Sequence, residues 1–294
     1  MTQTALVLGA TGRFGGNMAI AFEAAGWTVR RFDRKTDNLD TAVEGVDVIV
    51  QGWHPSYEKW AKEVPVLTKR VIAAARRSGA TVLIPGNMYV YGAGSPSVIT
   101  ENTPHKARNP LGKIRVEMEA AFASSGVRTI VLRGGDFLDI EPSGNWFDQI
   151  IVKKLHKGVF TYPGDCNIPH TWAYLPDLCR AFVMLAEKRA SLPVFTTLNF
   201  EGYTLSGAQM AKILGVTARR MNWLPVYLVA PFWKMGRLII EMRYLWNMPH
   251  QVDGTALRKL LPELRETPVN EALHRAASFK INPNEPVIRG RATV

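Results

Sequence analysis

Cysteine is scarce in this chain of 294 residues, which holds only Cys166 and Cys179. Two thiols exclude a disulfide-stapled scaffold and a cysteine-based zinc module. The six histidines show no metal-ligand spacing such as H-x-x-x-H, so no metal site is expected. Long apolar runs are lacking too. No uncharged stretch reaches the roughly 18 residues of a membrane span. The most apolar segment, residues 221–233, contains Pro225 and Pro231 and stops at Lys234. The opening MTQTALVLGATG has no basic region followed by an apolar one, so no secretory signal is expected. Repeats of 20–50 residues and low-complexity tracts are also absent. These absences together predict a soluble, cytoplasmic protein with no membrane partner.

What is present indicates a folded core. Hydrophobic residues make up 47% of the chain and charged residues 21%, which rules out wholesale disorder. The length suits one large α/β domain, or a domain with a smaller lobe. The net charge is +11 and sits mainly in the second half, where residues 151–294 carry 19 basic and 10 acidic side chains. A basic half can attract nucleic acid, but no nucleic-acid motif accompanies the charge. An anionic cofactor or substrate is the simpler expectation, and nucleic acid is not expected as a partner. A homodimer is left open.

The first half alternates short apolar runs with helical patterns. Strands are expected over 4–8, 27–32, 46–51, 81–84 and 128–132, and helices over 15–25, 60–78 and 112–125. Gly26, Gly79 and Gly126 stop the helices. The apolar runs do not alternate with polar residues, as befits strands buried on both faces of a parallel sheet. Right-handed crossovers then give a doubly wound, Rossmann-like α/β sheet. After about residue 135 the rhythm changes and prolines become frequent. Helices are expected over 146–158, 178–188, 206–214 and 257–261, and a strand over 195–200. The expected organisation is a dinucleotide-binding domain over 1–135. A smaller C-terminal substrate lobe over 136–294 is interleaved with the last strands of the sheet.

The strongest motif is LVLGATGRFGG. Gly9, Gly12 and Gly15 form G-x-x-G-x-x-G between the first strand and the first helix. Gly9 permits a tight turn, Gly12 lets the backbone approach a pyrophosphate, and Gly15 allows the helix to pack closely on the strand. The helix N-terminus then offers free N–H groups to an anion. Thr11, Arg13 and Phe14 complete the expected cofactor turn. The second strand ends at Asp33-Arg34-Lys35. An acid there binds ribose hydroxyls and favours NAD, whereas an arginine nearby favours the 2′-phosphate of NADP. Arg13, Arg34 and Lys35 tip the expectation to NADP, with NAD the alternative.

These residues and several later segments resemble the extended branch of the short-chain dehydrogenase/reductase superfamily, which includes NAD-dependent epimerases and dehydratases of nucleotide sugars. GATGRFG is similar to the family's cofactor turn. GVDVIVQGW, with Gln51 and Gly52, resembles the strand beside the cofactor. TVLIPGNMYVYG resembles the strand that ends in the catalytic Ser or Thr, and NPLGKIRVEMEAAF the segment that carries the catalytic Tyr and Lys. LRGGDF and PHTWAYLPDLCRAF are similar to two later family segments. The resemblance implies the fold and a dinucleotide cofactor, but the chemistry departs from the pattern. Leu111 stands at the Tyr position, Arg115 at the Lys position and Asn87 at or near the Ser/Thr position. This is the pattern of atypical members. Leucine exchanges no proton, whereas Arg115 can hold a ribose hydroxyl and Asn87 can donate to a carbonyl. Leu111 is then expected beside Arg115, pointing toward the nicotinamide pocket.

If chemistry persists, other groups must carry it. Tyr89, Tyr91 and Asp136 lie at the carboxyl edge of the expected sheet, where ligands bind. With Asn87 they are the catalytic candidates, and a nearby cation is expected to lower a tyrosine's pKa into a useful range. Trp146, His170 and Trp172 are candidates for the substrate wall, with His170 a further acid–base candidate. The leading expectation is an NAD(P)-dependent oxidoreductase or epimerase-like enzyme acting on a small molecule. The alternative is a regulatory or redox-sensing protein that binds the dinucleotide without turnover.

Overall fold

The computed structural model describes residues 2–281. Its centre is a six-stranded sheet. The strands are β1 (Thr4–Leu8), β2 (Thr28–Phe32), β3 (Val48–Gln51), β4 (Thr81–Gly86), β5 (Thr129–Arg133) and, after two strands of a smaller sheet, β8 (Phe195–Asn199). The spatial order is β8-β5-β4-β3-β1-β2, and every pair is parallel. The chain runs outward from β1 to β2 and then crosses back to β3 on the other side of β1. That reversal opens a crevice at the carboxyl ends of β1 and β3.

The apolar runs behave as expected of a doubly wound sheet. Each residue of β1, β3 and β5 is buried. Successive side chains of a strand point to opposite faces, so each strand feeds two cores. Ala5, Val7, Val48, Val50, Ile130 and Leu132 pack under α1 (Arg13–Ala24) and α4 (Leu175–Glu187). Leu6, Leu8, Ile49, Val82, Ile84 and Val131 pack under α2 (Trp60–Ser78) and α3 (Pro110–Ala123). Strand β2 is the exception. It lies at the sheet edge, with Arg30 and Arg31 exposed, and charge on an edge strand discourages further pairing.

The second half supplies α4 and β8 to the main sheet and builds a separate cluster. A three-stranded sheet forms from β6 (Asp136–Leu138), β7 (His170–Tyr174) and β9 (Tyr203–Leu205), in the order β9-β7-β6. Its core includes Phe147, Trp172, Tyr162 and Trp246. The helix expected over 146–158 does not form as one piece. A π-helical turn covers Phe147–Ile151 and a 3₁₀ turn covers Leu155–Lys157. Lys154 instead folds back against Val159, and Gly158 takes a left-handed φ of 67° that ends the turn. The β-branched run Ile150-Ile151-Val152 adds little helix propensity to resist this. The helix expected over 206–214 forms at Gly207–Ile213, with Ser206 and Gln209 making a reciprocal capping box. Helix Lys234–Glu241 follows the proline-interrupted apolar segment and was not legible in it.

One buried ion pair ties α3 to the sheet. Arg133 at the end of β5 bonds Glu119 through Nη1 and Nη2 at 3.2 and 2.6 Å. The Arg133 Nη1 also donates to the Asn87 carbonyl at 2.7 Å. Both side chains are almost fully buried. Burial pushes the Glu119 carboxyl up, but the charge and hydrogen bonds of Arg133 outweigh it and hold the pKa below the ordinary 4.5. Removing one partner strands a buried charge, so Glu119→Ala is expected to cost about 3–5 kcal/mol in denaturant unfolding. A loss below about 1 kcal/mol would contradict the pair's role. Because the folded pKa is depressed, the pair's contribution is present above the unfolded value and is lost as pH falls through the folded one. The stability gap between wild type and Glu119→Gln should therefore narrow below pH 4.5.

Candidate functional site

The crevice opens into a cleft of about 990 Å³. Its floor begins at the glycine turn. Gly9 adopts a φ of 74°, and a Cβ there would meet the Gly52 carbonyl oxygen at 2.6 Å. A Cβ on Gly15 would meet the Gly9 oxygen at 2.2 Å, and one on Gly52 the Leu8 oxygen at 2.4 Å. These three glycines let β1, α1 and the end of β3 touch backbone to backbone. Gly12 differs. A Cβ there would meet only the Gly9 oxygen, at 3.3 Å, a tight contact but not an overlap. It is the N-cap of α1, and no side chain caps the helix. The first-turn N–H groups therefore lack an intrahelical partner, and Gly12, Arg13 and Phe14 face the cleft. The Phe14 ring itself packs on Phe182, with centroids 5.4 Å apart.

Thr11, Asp33, Arg34, Gln51, Gly52 and Arg115 also line the cleft. Asp33 and Arg34 are exposed at the end of β2, and Asp33 Oδ1 accepts from the Lys35 N–H at 2.9 Å. Gln51 is buried, and its Oε1 has no hydrogen-bond partner. Arg13 is placed differently from its expected part in holding a 2′-phosphate. Its Nε donates to Ser143 Oγ at 2.9 Å and its Nη2 to the Ser143 carbonyl at 2.7 Å. The guanidinium thus spans the cleft toward the 143 loop, which leaves Arg34 and Lys35 as the cations beside Asp33.

Arg115 and Leu111 lie on α3 but meet different surroundings. Arg115 lines the cleft, and its Nη2 donates to the Pro85 carbonyl at 2.6 Å. Its Nε is buried without a partner. Burial lowers its pKa. Leu111 does not line the cleft, contrary to expectation. It is 1% exposed, packed in the core beneath α3, and its N–H donates to Glu241 Oε1 at 3.0 Å. The segment that carries Glu241 covers this first turn of the helix and closes it off.

The sequence candidates for chemistry separate in the same way. Asn87, Tyr89 and Asp136 line the cleft, whereas Tyr91 does not. Tyr91 is 1% exposed, lies 5.5 Å from the Arg133 guanidinium over its ring, and is a packing residue rather than a cleft acid. Asn87 Oδ1 accepts from the Tyr89 N–H at 3.1 Å and so caps the turn that carries the phenol. The Tyr89 hydroxyl lies 2.5 Å from the Tyr57 hydroxyl. The expected lowering of the tyrosine pKa does not occur. Desolvation, then the neighbouring Tyr57 and Asp136, raise Tyr89 well above 10 and outweigh Arg13. Tyr57 is raised as well, chiefly by desolvation.

On the opposite wall Asp136 Oδ2 accepts from His170 Nε2 at 2.7 Å. His170 is nearly buried and stacks on Trp246, with ring planes 5° apart and centroids 4.5 Å apart. His250 meets it edge-on at 4.5 Å. The His250 Nδ1–H donates to the Met248 carbonyl at 2.7 Å, and desolvation, then the charge of His170, hold its pKa down to about 3. Trp146 lines the cleft, but Trp172 is wholly buried beside it. Sequence reasoning missed Tyr57, His54 and His250. The first two belong to the run W-H-P-S-Y directly after β3, a strand end that borders the crevice in this topology. That position was the available signal, whereas nothing local marks His250. Among the described residues no group of His, Cys, Asp or Glu could hold a metal ion, and no helix is long and apolar enough to cross a membrane.

No family model and no curated protein matches the chain. Solved structures do match over nearly its whole length. MoeE5 in complex with UDP-glucose and NAD has a TM-score of 0.71 at 15% identity, covering 96% of this chain and 99% of that one. A UDP-glucuronic acid 4-epimerase from Bacillus cereus in complex with NAD gives 0.70 at 14%, covering 96% and 100%. RMD from Pseudomonas aeruginosa complexed with NADPH gives 0.70 at 15%, covering 96% and 100%. At these identities the likeness is one of fold. The chain has the architecture of these NAD- and NADPH-bound proteins.

The raised tyrosines give a direct test. Tyr89 should remain a neutral phenol throughout the physiological range. The 295 nm absorbance difference between wild type and Tyr89→Phe is expected to stay flat from pH 7 to 10, since the ordinary phenol value is about 10. A titration step below 9 would contradict the surroundings described.

Proposed function

We propose that this protein is an NAD(P)-dependent oxidoreductase or epimerase-like enzyme that acts on a hydroxyl or carbonyl group of a small molecule. The observation that carries the reading is the uncapped start of α1 at Gly12, opening on the cleft where the sheet order reverses. The donor set fits a dinucleotide. The N–H groups of Arg13 and Phe14 suit a pyrophosphate, with Thr11 and the Arg13 side chain beside them. Asp33 and Arg34 suit the adenosine ribose, and Arg34 with Lys35 favours the 2′-phosphate of NADP. Gln51 and Gly52 border the middle of the cofactor path, and the unpartnered Arg115 Nε suits a ribose hydroxyl. The fold shared with NAD- and NADPH-bound structures supports the same assignment.

The bound nicotinamide would supply hydride transfer. The chain's own residues must then manage the charge on the substrate oxygen. The hydroxyls of Tyr57 and Tyr89 stay protonated; one donates to the other, and the remaining O–H acts as a hydrogen-bond donor to that oxygen rather than as a base. Asn87 Nδ2 is a further donor at the same edge. Asp136 Oδ2 accepts from His170 Nε2, and the Asp136 carboxyl group, open to the cleft, is the group that exchanges a proton with the substrate oxygen. This division replaces the Tyr and Lys roles implied by the resemblance. The buried Leu111 and the high phenol pKa values favour a second reading, dinucleotide binding without turnover. Asp136→Asn separates the two, because general acid–base assistance is worth about 10²–10⁴ in rate.

Gly12→Val is the test of the cofactor site. Gly12 has a φ of −90°, which valine tolerates, and a Cβ there would meet only the Gly9 oxygen, at 3.3 Å, a tight contact that a shift of a few tenths of an ångström relieves, so the fold should survive. NAD(P)H titration by calorimetry should show binding in the wild type and none in the folded variant. Unchanged affinity would remove the assignment. In the same titration Arg34→Ala should weaken NADPH by about 1.5–3 kcal/mol, the worth of a charge-assisted bond, and leave NADH alone. Equal losses would turn the preference to NAD through Asp33.

A further inference from the structure

The far half of the cleft narrows the substrate class, an inference that rests on the oxidoreductase reading. Its wall is apolar. Trp146 and Ile150 come from the π-helical region, Met235 and Ile239 from helix Lys234–Glu241, and Leu245 from the turn that follows. Met235 and Ile239 are four residues apart and so share one helix face. This wall is held in place at both ends. Lys234 Nζ donates to the Glu58 carbonyl at 3.3 Å. Glu241 Oε1 accepts from Asn109 Nδ2 at 2.9 Å and from the Leu111 N–H at 3.0 Å. Trp146 packs on Trp246 and Trp223, with centroids 5.3 and 6.2 Å apart.

The charges of the cleft are arranged against an anion at this end. Among the described lining residues, Arg31, Asp33, Arg34 and Lys35 cluster at the end of β2, by the expected adenosine site. Arg13 is bonded to Ser143 and Arg115 to the Pro85 carbonyl, neutral partners that orient the two guanidinium groups without cancelling their charge. The charge that borders the apolar wall is Asp136, whose side chain is 29% exposed. His250 is a neutral imidazole. A nucleoside diphosphate placed here would shed its hydration and meet a carboxylate, and beyond the β2 cluster the cations among the described lining residues are Arg13 and Arg115, both already hydrogen-bonded along the expected cofactor path. An uncharged ring system would instead bury its surface against tryptophan and aliphatic side chains.

We propose that the substrate is an uncharged, mainly apolar ketone or secondary alcohol of one or two rings, rather than a nucleotide-linked sugar. Its body lies against Trp146, Met235 and Ile239, and its oxygen meets the Tyr57 and Tyr89 hydroxyls. The probe is 2-tetralone, an uncharged bicyclic ketone. It is titrated by calorimetry into the full chain saturated with NADP⁺, which cannot reduce it, and UDP-glucose is titrated in parallel. The ketone should bind about tenfold tighter than UDP-glucose or better, and Ile239→Glu should weaken it about tenfold or more. NADP⁺ affinity and thermal midpoint should not change in the variant. Should the Ile239→Glu midpoint fall, Met235→Glu serves as the second variant. Tighter binding of UDP-glucose, no binding of the ketone, or equal ketone affinity in the variant overturns the proposal. Failure of NADP⁺ and NAD⁺ to bind the wild type sinks the oxidoreductase reading instead. The ketone titration of the protein alone then still tests the apolar wall.

Discussion

The structure depends on backbone contact at the crossing of β1, α1 and β3. Gly9, Gly15 and Gly52 approach one another so closely that a Cβ on any of them would overlap a neighbouring main chain. That contact sets how near α1 lies to the sheet. It therefore sets where the free N–H groups that follow Gly12 point and how deep the crevice between β1 and β3 becomes. The apolar faces of the sheet supply most of the burial, but they would tolerate small shifts of a helix. Backbone overlap would not, and so three residues without side chains fix the geometry of the site.

A second constraint lies at the other end of the crevice. The Arg133–Glu119 pair fastens α3 to β5, and Arg133 also holds the Asn87 carbonyl. Asn87 in turn caps the turn that presents Tyr89. A chain of bonds thus runs from a buried ion pair to the Tyr57–Tyr89 hydroxyls. The same burial that makes this chain rigid keeps the phenols neutral. Rigidity and donor character have one cause, and on the proposed reading the proton moves elsewhere, at Asp136.

The first half of the fold was legible because each buried strand is a short apolar run ended by glycine or proline, and each helix is stopped by glycine. Thr4–Leu8 and Trp60–Ser78 fall where the pattern puts them. The second half was less legible. Its segments are packed by tertiary contact rather than by local period, as in the broken region Phe147–Ile151 and the short strands Asp136–Leu138 and Tyr203–Leu205. The glycine turn was legible because its chemistry is local. The wall opposite was not, since Tyr57, His250, Met235 and Ile239 meet only through the fold. Leu111 shows the limit of motif alignment. Its place in the segment is as expected, but Glu241, 130 positions away, closes over that turn of the helix.

On the proposed reading a nicotinamide dinucleotide lies along this cleft from Gly12 to Arg115 and ends between the two tyrosines and the Asp136–His170 pair. The most direct measurement is a crystal structure of the protein with NADPH. The expected result is the pyrophosphate on the N–H groups of Arg13 and Phe14 and C4 of the nicotinamide facing the Tyr57–Tyr89 hydroxyls, with Leu111 remote from the ring. A dinucleotide bound elsewhere, or a nicotinamide turned away from both tyrosines and Asp136, would contradict it.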